Sequence, residues 1–147
     1  MKWVKQSIHY WCPDTKEHKF LGQNVTVAIL DTGISPHPDF KDRILSFRDF
    51  SSTTGSSEKV LFSFSHFSPL IDNSGHGTHV AGILAGSGLL SSGTYAGIAP
   101  FCNLIIGKVL DQNGNGSIKN VINGIQWIRD IYTQFHIRII NISVGTR

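Results

Sequence analysis

The chain has 147 residues, 40% hydrophobic and 16% charged, with a net charge of +3, a balance and length that suit one globular domain with a true core. Its Lys and Arg residues are scattered singly, without the run or stripe a nucleic-acid surface needs, and no apolar stretch is long enough to cross a bilayer, so nucleic acid and membrane are excluded as partners. Met1-Lys2-Trp3-Val4-Lys5-Gln6-Ser7 lacks the apolar core of a signal peptide, and Cys12 and Cys102 form neither a disulfide framework nor a Cys-x-x-Cys pair, which predicts a cytoplasmic chain with free thiols.

Residues 1–21 form an N-terminal segment, and the domain is expected to span 22–147. Asn24-Val25-Thr26-Val27-Ala28-Ile29-Leu30 is a nearly continuous, β-branched apolar run, the pattern of a strand buried on both faces of a parallel sheet. It ends at the polar turn Asp31-Thr32-Gly33. Arg43 to Phe50 reads as a second, outer strand, and the polar residues 51–58 as a loop. From Thr78 to Gly86 the small and apolar residues Val80, Ala81, Ile83, Leu84 and Ala85 predict a closely packed helix, terminated by Gly86-Ser87-Gly88.

Leu104 to Leu110 is the next strand, followed by the turn Asp111-Gln112-Asn113-Gly114-Asn115-Gly116. Ser117 then offers an N-cap, and Val121, Ile125, Ile128 and Tyr132 recur at helical spacing. Ile137-Arg138-Ile139-Ile140-Asn141-Ile142 is a last strand. Strands alternating with helices predict an α/β architecture with a central parallel sheet and right-handed crossovers. In such sheets, sites are built at the carboxyl ends of the strands, where Asp31 lies.

Three segments carry chemistry: Ala28-Ile29-Leu30-Asp31-Thr32-Gly33-Ile34, Gly75-His76-Gly77-Thr78-His79-Val80-Ala81-Gly82 and Ile140-Asn141-Ile142-Ser143-Val144-Gly145. Asp-Thr-Gly alone also marks aspartic proteases, but the α/β pattern around it disagrees with their all-β fold. His76 and His79 stand three apart, close to metal-ligand spacing, yet no glutamate lies between them and no third ligand is near. His79 is therefore expected to pack or to support its neighbours, and no metal is assigned. His9, His18, His37, His66 and His136 are isolated.

Together the three segments resemble the aspartate, histidine and substrate-strand motifs of the subtilisin-like serine proteases, in the chain order aspartate then histidine. Gly97-Ile98-Ala99-Pro100, Lys108-Val109-Leu110 and Ile122-Asn123-Gly124-Ile125-Gln126-Trp127 extend the resemblance from about Gly22 to Gly145, with the intracellular bacterial members closest in pattern. It implies a three-layer subtilisin-like fold whose C-terminal part is missing. It implies Asp31 and His76 as catalytic residues, the aspartate fixing the imidazole tautomer for acyl transfer. Gly114-Asn115-Gly116 and Ser143-Val144-Gly145 would be edges between which a polypeptide substrate lies extended. Small Gly75 and Gly77 would leave room for that substrate and for the turn into the helix.

The pattern also departs from the family. No Gly-Thr-Ser-x-Ala turn, which would hold the nucleophile, is present; Gly145-Thr146-Arg147 has arginine in the serine position. The asparagine that would donate to an oxyanion is absent as well. Asp39 matches a calcium-ligand position in many members, but Gly86-Ser87-Gly88-Leu89-Leu90-Ser91-Ser92-Gly93 offers neither carboxylate nor asparagine where other ligands would stand. No cofactor is therefore expected to be required; a structural calcium stays open as an alternative that the sequence does not support. The leading expectation is an endopeptidase fragment, inactive alone, whose partner is the missing C-terminal part; the alternative is a non-catalytic peptide-binding or regulatory module. Retention of both Asp31 and His76 favours the first.

Overall fold

The computed structural model describes residues 2–8, 10, 20–51, 60–61 and 72–145. The loop expected at 51–58 lies outside these apart from Ser51, as do Cys12, His9, His18, His66, Thr146 and Arg147. Helix α1 (Lys2–Ser7) comes first in the chain. Strands β1 (Thr26–Asp31), β2 (Ile44–Asp49) and β3 (Val60–Leu61) follow, then helix α2 (His76–Ala85), strand β4 (Asn103–Lys108), helix α3 (Ile118–Ile131) and strand β5 (Ile137–Ile142). The first strand begins two residues later than its apolar run suggests. Asn24 has a positive φ of 61° and Val25 N–H closes a turn onto Gly22 O at 3.1 Å, so extended backbone starts only at Thr26.

The strands form one sheet in the order β3-β2-β4-β1-β5, parallel except for β3, which runs antiparallel on the outside of β2. Because side chains alternate across a strand, β1 feeds two cores. Val27 and Ile29 join Ile34, Phe40, Leu104, Ile106, Ala81 and Ala85 on the face covered by α2. Ala28 and Leu30 join Ile105, Val109, Trp127, Ile128 and Ile131 on the face covered by α3. This is the three-layer α/β arrangement expected, with all six residues of β1 buried.

Helix α3 starts where its cap predicts: Ser117 Oγ accepts from Asn120 N–H at 3.1 Å. Its buried face differs from the expected stripe. Gly124, Trp127, Ile128 and Ile131 are buried, whereas Ile125 and Tyr132 are 40% and 55% exposed. The reason is a close approach at Gly124, where a Cβ would stand 3.0 Å from Leu30 and 3.1 Å from Val109. Glycine carries no hydropathy signal, and isoleucines lie around much of the helix, so counting apolar residues rotates the face by about one position.

Candidate active site

The carboxyl ends of β4, β1 and β5 lie side by side, and the middle one ends in Asp31. The Asp31 carboxylate is fully buried; its Oδ1 accepts the N–H of Thr32 at 2.7 Å and lies 2.8 Å from His76 Nδ1. The second oxygen, Oδ2, has no hydrogen-bond partner among the described residues. The His76 side chain is 53% exposed, so one side of the ring is fixed on a buried anion while the rest faces solvent. In the Nδ1–H tautomer the ring donates to Asp31 and keeps Nε2 free as an acceptor.

His76 is the first residue of α2, and the helix reaches the end of β1 because position 77 is glycine. A Cβ there would fall 2.3 Å from Gly33 O and 3.2 Å from Asp31 Cβ, so any side chain would push the two apart. Gly77 thus makes room for the β1 turn. Gly75, immediately before the helix, has φ of +85°, a left-handed conformation that glycine adopts without strain.

A residue that the motifs did not single out ties these elements together. Asp72 Oδ1 accepts the Thr32 hydroxyl at 2.8 Å and the N–H groups of Gly75 at 2.8 Å and Ser74 at 3.2 Å. Its Oδ2 accepts both the N–H and the hydroxyl of Thr78, at 2.8 and 2.6 Å. Burial works against its charge, yet the donors from Thr78, Thr32 and Gly75 outweigh it and lower its pKa from 3.8 to about 2. The available signal was Asp72-Asn73-Ser74-Gly75, a cluster of turn formers whose leading aspartate can bind main-chain N–H groups just ahead. Lys108, part of one of the linking segments, has a related role: buried and paired in register with Asp31, it donates from Nζ to Thr32 O and Leu110 O. It joins the turns that follow β1 and β4.

The two candidate substrate edges follow the strands on either side of β1. Gly114, Asn115 and Gly116 are exposed in a turn closed onto Asp111, whose Oδ1 accepts from Asn113 N–H at 2.8 Å and Asn115 N–H at 2.9 Å. Ser143, Val144 and Gly145 are exposed beyond β5, and the Ser143 hydroxyl donates to Asn141 Oδ1 at 3.0 Å. His79, expected to pack or support, is exposed on α2, whose buried face runs through Gly77, Ala81 and Ala85; the expectation is corrected because four-residue spacing from Gly77 turns position 79 outward. Asp39 points both carboxylate oxygens at N–H groups, Oδ2 at Gly88 (3.1 Å) and Oδ1 at Leu90 (3.2 Å), with the Arg43 guanidinium beside it on Asp39 O. Converging N–H donors and a guanidinium are the wrong sign for a calcium ion, which needs converging oxygens. The described part of this position does not fit one.

The Subtilase family profile matches residues 22–147. The chain belongs to the subtilase family. Among its subtilase relatives, serine protease AprX of Bacillus subtilis (strain 168) is 46% identical over 106 residues, which cover 72% of this chain and 21% of AprX. The major intracellular serine protease of the same organism is 38% identical over 126 residues, 84% of this chain and 35% of that protein. Among solved structures, the CspB protease of Clostridium perfringens superposes with a TM-score of 0.76 at 26% identity, covering 95% of this chain and 31% of that one. Sphericase gives 0.70 at 29% identity, covering 85% of this chain and 38% of its own. The chain therefore spans between about a fifth and about two-fifths of these four subtilases. Among the described residues no helix is long and apolar enough to cross a membrane.

Proposed function

We propose that this chain is the aspartate- and histidine-bearing part of a serine endopeptidase that cleaves extended polypeptides. The observation carrying this reading is the 2.8 Å contact between His76 Nδ1 and Asp31 Oδ1 at the carboxyl end of β1. Asp31 fixes the imidazole with Nε2 outward and stabilises the imidazolium once a proton arrives. His76 Nε2 takes the proton of a serine hydroxyl as it attacks the scissile carbonyl, then returns it to the leaving amine. The peptide lies between Gly114-Asn115-Gly116 and Ser143-Val144-Gly145, held by main-chain hydrogen bonds.

The serine is assigned to polypeptide outside these 147 residues, since no serine here stands in the required turn. The partner that completes the site is accordingly the rest of the domain, and the chain by itself is inactive. In a subtilisin triad, loss of the serine lowers turnover about 10⁶-fold. We also assign the protein an intracellular location, in keeping with a relative named as an intracellular serine protease, and no requirement for calcium at Asp39.

The test uses a fluorogenic peptide and a fluorophosphonate that labels activated serines. The 147-residue chain should turn over no peptide and take no label. The natural gene product, translated through the reading frame beyond Arg147, should do both and lose both in His76→Ala. Turnover by the short chain that disappears in His76→Ala would overturn the inactivity. A natural product that takes no label would favour the peptide-binding module.

A further inference from the structure

We infer that Asp72 is a positioning residue that sets the Asp31–His76 contact by bridging the β1 turn to the start of α2. The inference rests on the catalytic reading of that pair but concerns a residue which touches neither substrate nor the two reacting side chains. Its basis is the connectivity of one carboxylate. Through Oδ1 it holds the Thr32 hydroxyl, one residue from Asp31; through Oδ2 it holds Thr78, two residues from His76. Each threonine hydroxyl donates to Asp72 and accepts from the opposite element: Thr32 Oγ1 from Gly77 N–H at 2.9 Å, and Thr78 Oγ1 from Ser35 N–H at 2.9 Å. The two elements are thus cross-linked twice around a single anion. Aspartate 31 and histidine 76 stand at the ends of this frame, 45 positions apart in sequence.

The chemistry requires a group that only accepts. Five donors converge on two oxygens, and those from Ser74, Gly75 and Thr78 include main-chain N–H groups that cannot reverse. An asparagine amide would turn its NH₂ toward Ser74 and Gly75 in one orientation or toward Thr78 in the other, leaving a donor facing a donor. Hydroxyl rotation can rescue the threonine contacts but not these. A carboxylate is satisfied on both sides, which is also why it stays ionised to about pH 2.

A plain helix cap would explain the bonds to Gly75 and Thr78 but not the bond to Thr32, so the variants separate the two roles. The experiment is ¹⁵N-histidine NMR of the 147-residue chain, reading the His76 tautomer at a pH where imidazole is neutral, with circular dichroism as the check on folding. In the parent chain His76 should be held as Nδ1–H. Asp72→Asn should shift it toward the mixture of a free imidazole and remove the slowly exchanging Nδ1 proton signal. Thr32→Val, which leaves every cap bond of Asp72 intact, should do the same, and Thr32→Ser should restore the parent spectrum. Should Asp72→Asn fail to fold, Asp72→Glu, which keeps the charge and displaces the acceptors, takes its place beside the Thr32 pair, because Thr32→Val also removes the acceptor of Gly77 N–H. An unchanged His76 spectrum in folded Thr32→Val would overturn the inference. A parent chain in which His76 is not held as Nδ1–H would instead overturn the proposed function.

Discussion

Strands β1 and β5 are neighbours of equal length, and both are rich in aliphatic residues, yet their surroundings could hardly differ more. Every residue of β1 is buried, between β4 and β5 and beneath both helices. In β5 only Ile137 is buried; Ile139, Ile140 and Ile142 are 54%, 43% and 41% exposed, with Val144 beyond them at 38%. The strand pairs with β1 on one side and, among the described residues, with no strand on the other. Helix α3 carries exposed apolar residues as well, with Ile118, Ile122 and Ile125 71%, 47% and 40% exposed. One half of the molecule, with Asp31, His76 and Asp72, is closed by its own hydrogen bonds. The other half, with one candidate substrate edge, carries apolar surface that the described residues leave exposed.

The largest expected effect tests the closed half directly. Leu30→Ala should lower stability by about 2–5 kcal/mol, the range for a fully buried leucine. Ile142→Ala, on the open strand, should stay within about 0.5 kcal/mol. Equilibrium urea unfolding of the two variants measures both, and equal losses would break the contrast. Next comes association. An unpaired, apolar edge templates pairing with another chain, so the parent chain should elute from size exclusion as concentration-dependent oligomers. Ile140→Lys should move it toward monomer without lowering Tm. A parent monomer at every concentration would show that the edge is blunted by other means.

Acid should act on the closed half through Asp72. Its folded pKa, about 2, lies below the ordinary 3.8, so its contribution is fully present above that ordinary value and is lost as pH falls toward 2. Asp72→Asn should flatten the fall in stability across this window, measured by thermal melts between pH 4 and 2. A smaller loss, about 1 kcal/mol, is expected for Ser117→Ala, which removes the α3 cap. The smallest expected effect is none. Adding calcium, or chelating it, should leave Tm unchanged, because Asp39 is occupied by the N–H groups of Gly88 and Leu90. A rise in Tm with calcium that vanishes in Asp39→Asn would contradict this.

Much of the fold was legible because its signals are local. The run from Val25 to Leu30 reads as a doubly buried strand, and Ser117 caps the helix that follows it. The sequence motifs named Asp31 and His76, but nothing in their spacing states that residues 45 positions apart should meet. Asp72 escaped notice because its role lies in long-range bonds to Thr32, while its local appearance is that of any turn aspartate. Position 79 and the face of α3 were misjudged for a related reason. Glycines 77 and 124 decide which side of each helix goes inward, and a missing side chain leaves no mark in a hydropathy pattern.

The strand order has a consequence in time. Thr26 pairs with Asn103 on one side and Ile137 on the other, so the most deeply buried strand is made first while both its neighbours come much later. At translation rates of about 5–20 residues per second, the segment Val27 to Leu30 leaves the ribosome roughly 4–15 s before the strand that shields it on its nearer side. Few local contacts can compensate, since a sheet of this topology gains its pairing only after long loops close. During that interval the future centre of the sheet is an apolar tetrapeptide in water, and it is the stretch a nascent-chain chaperone would be expected to hold.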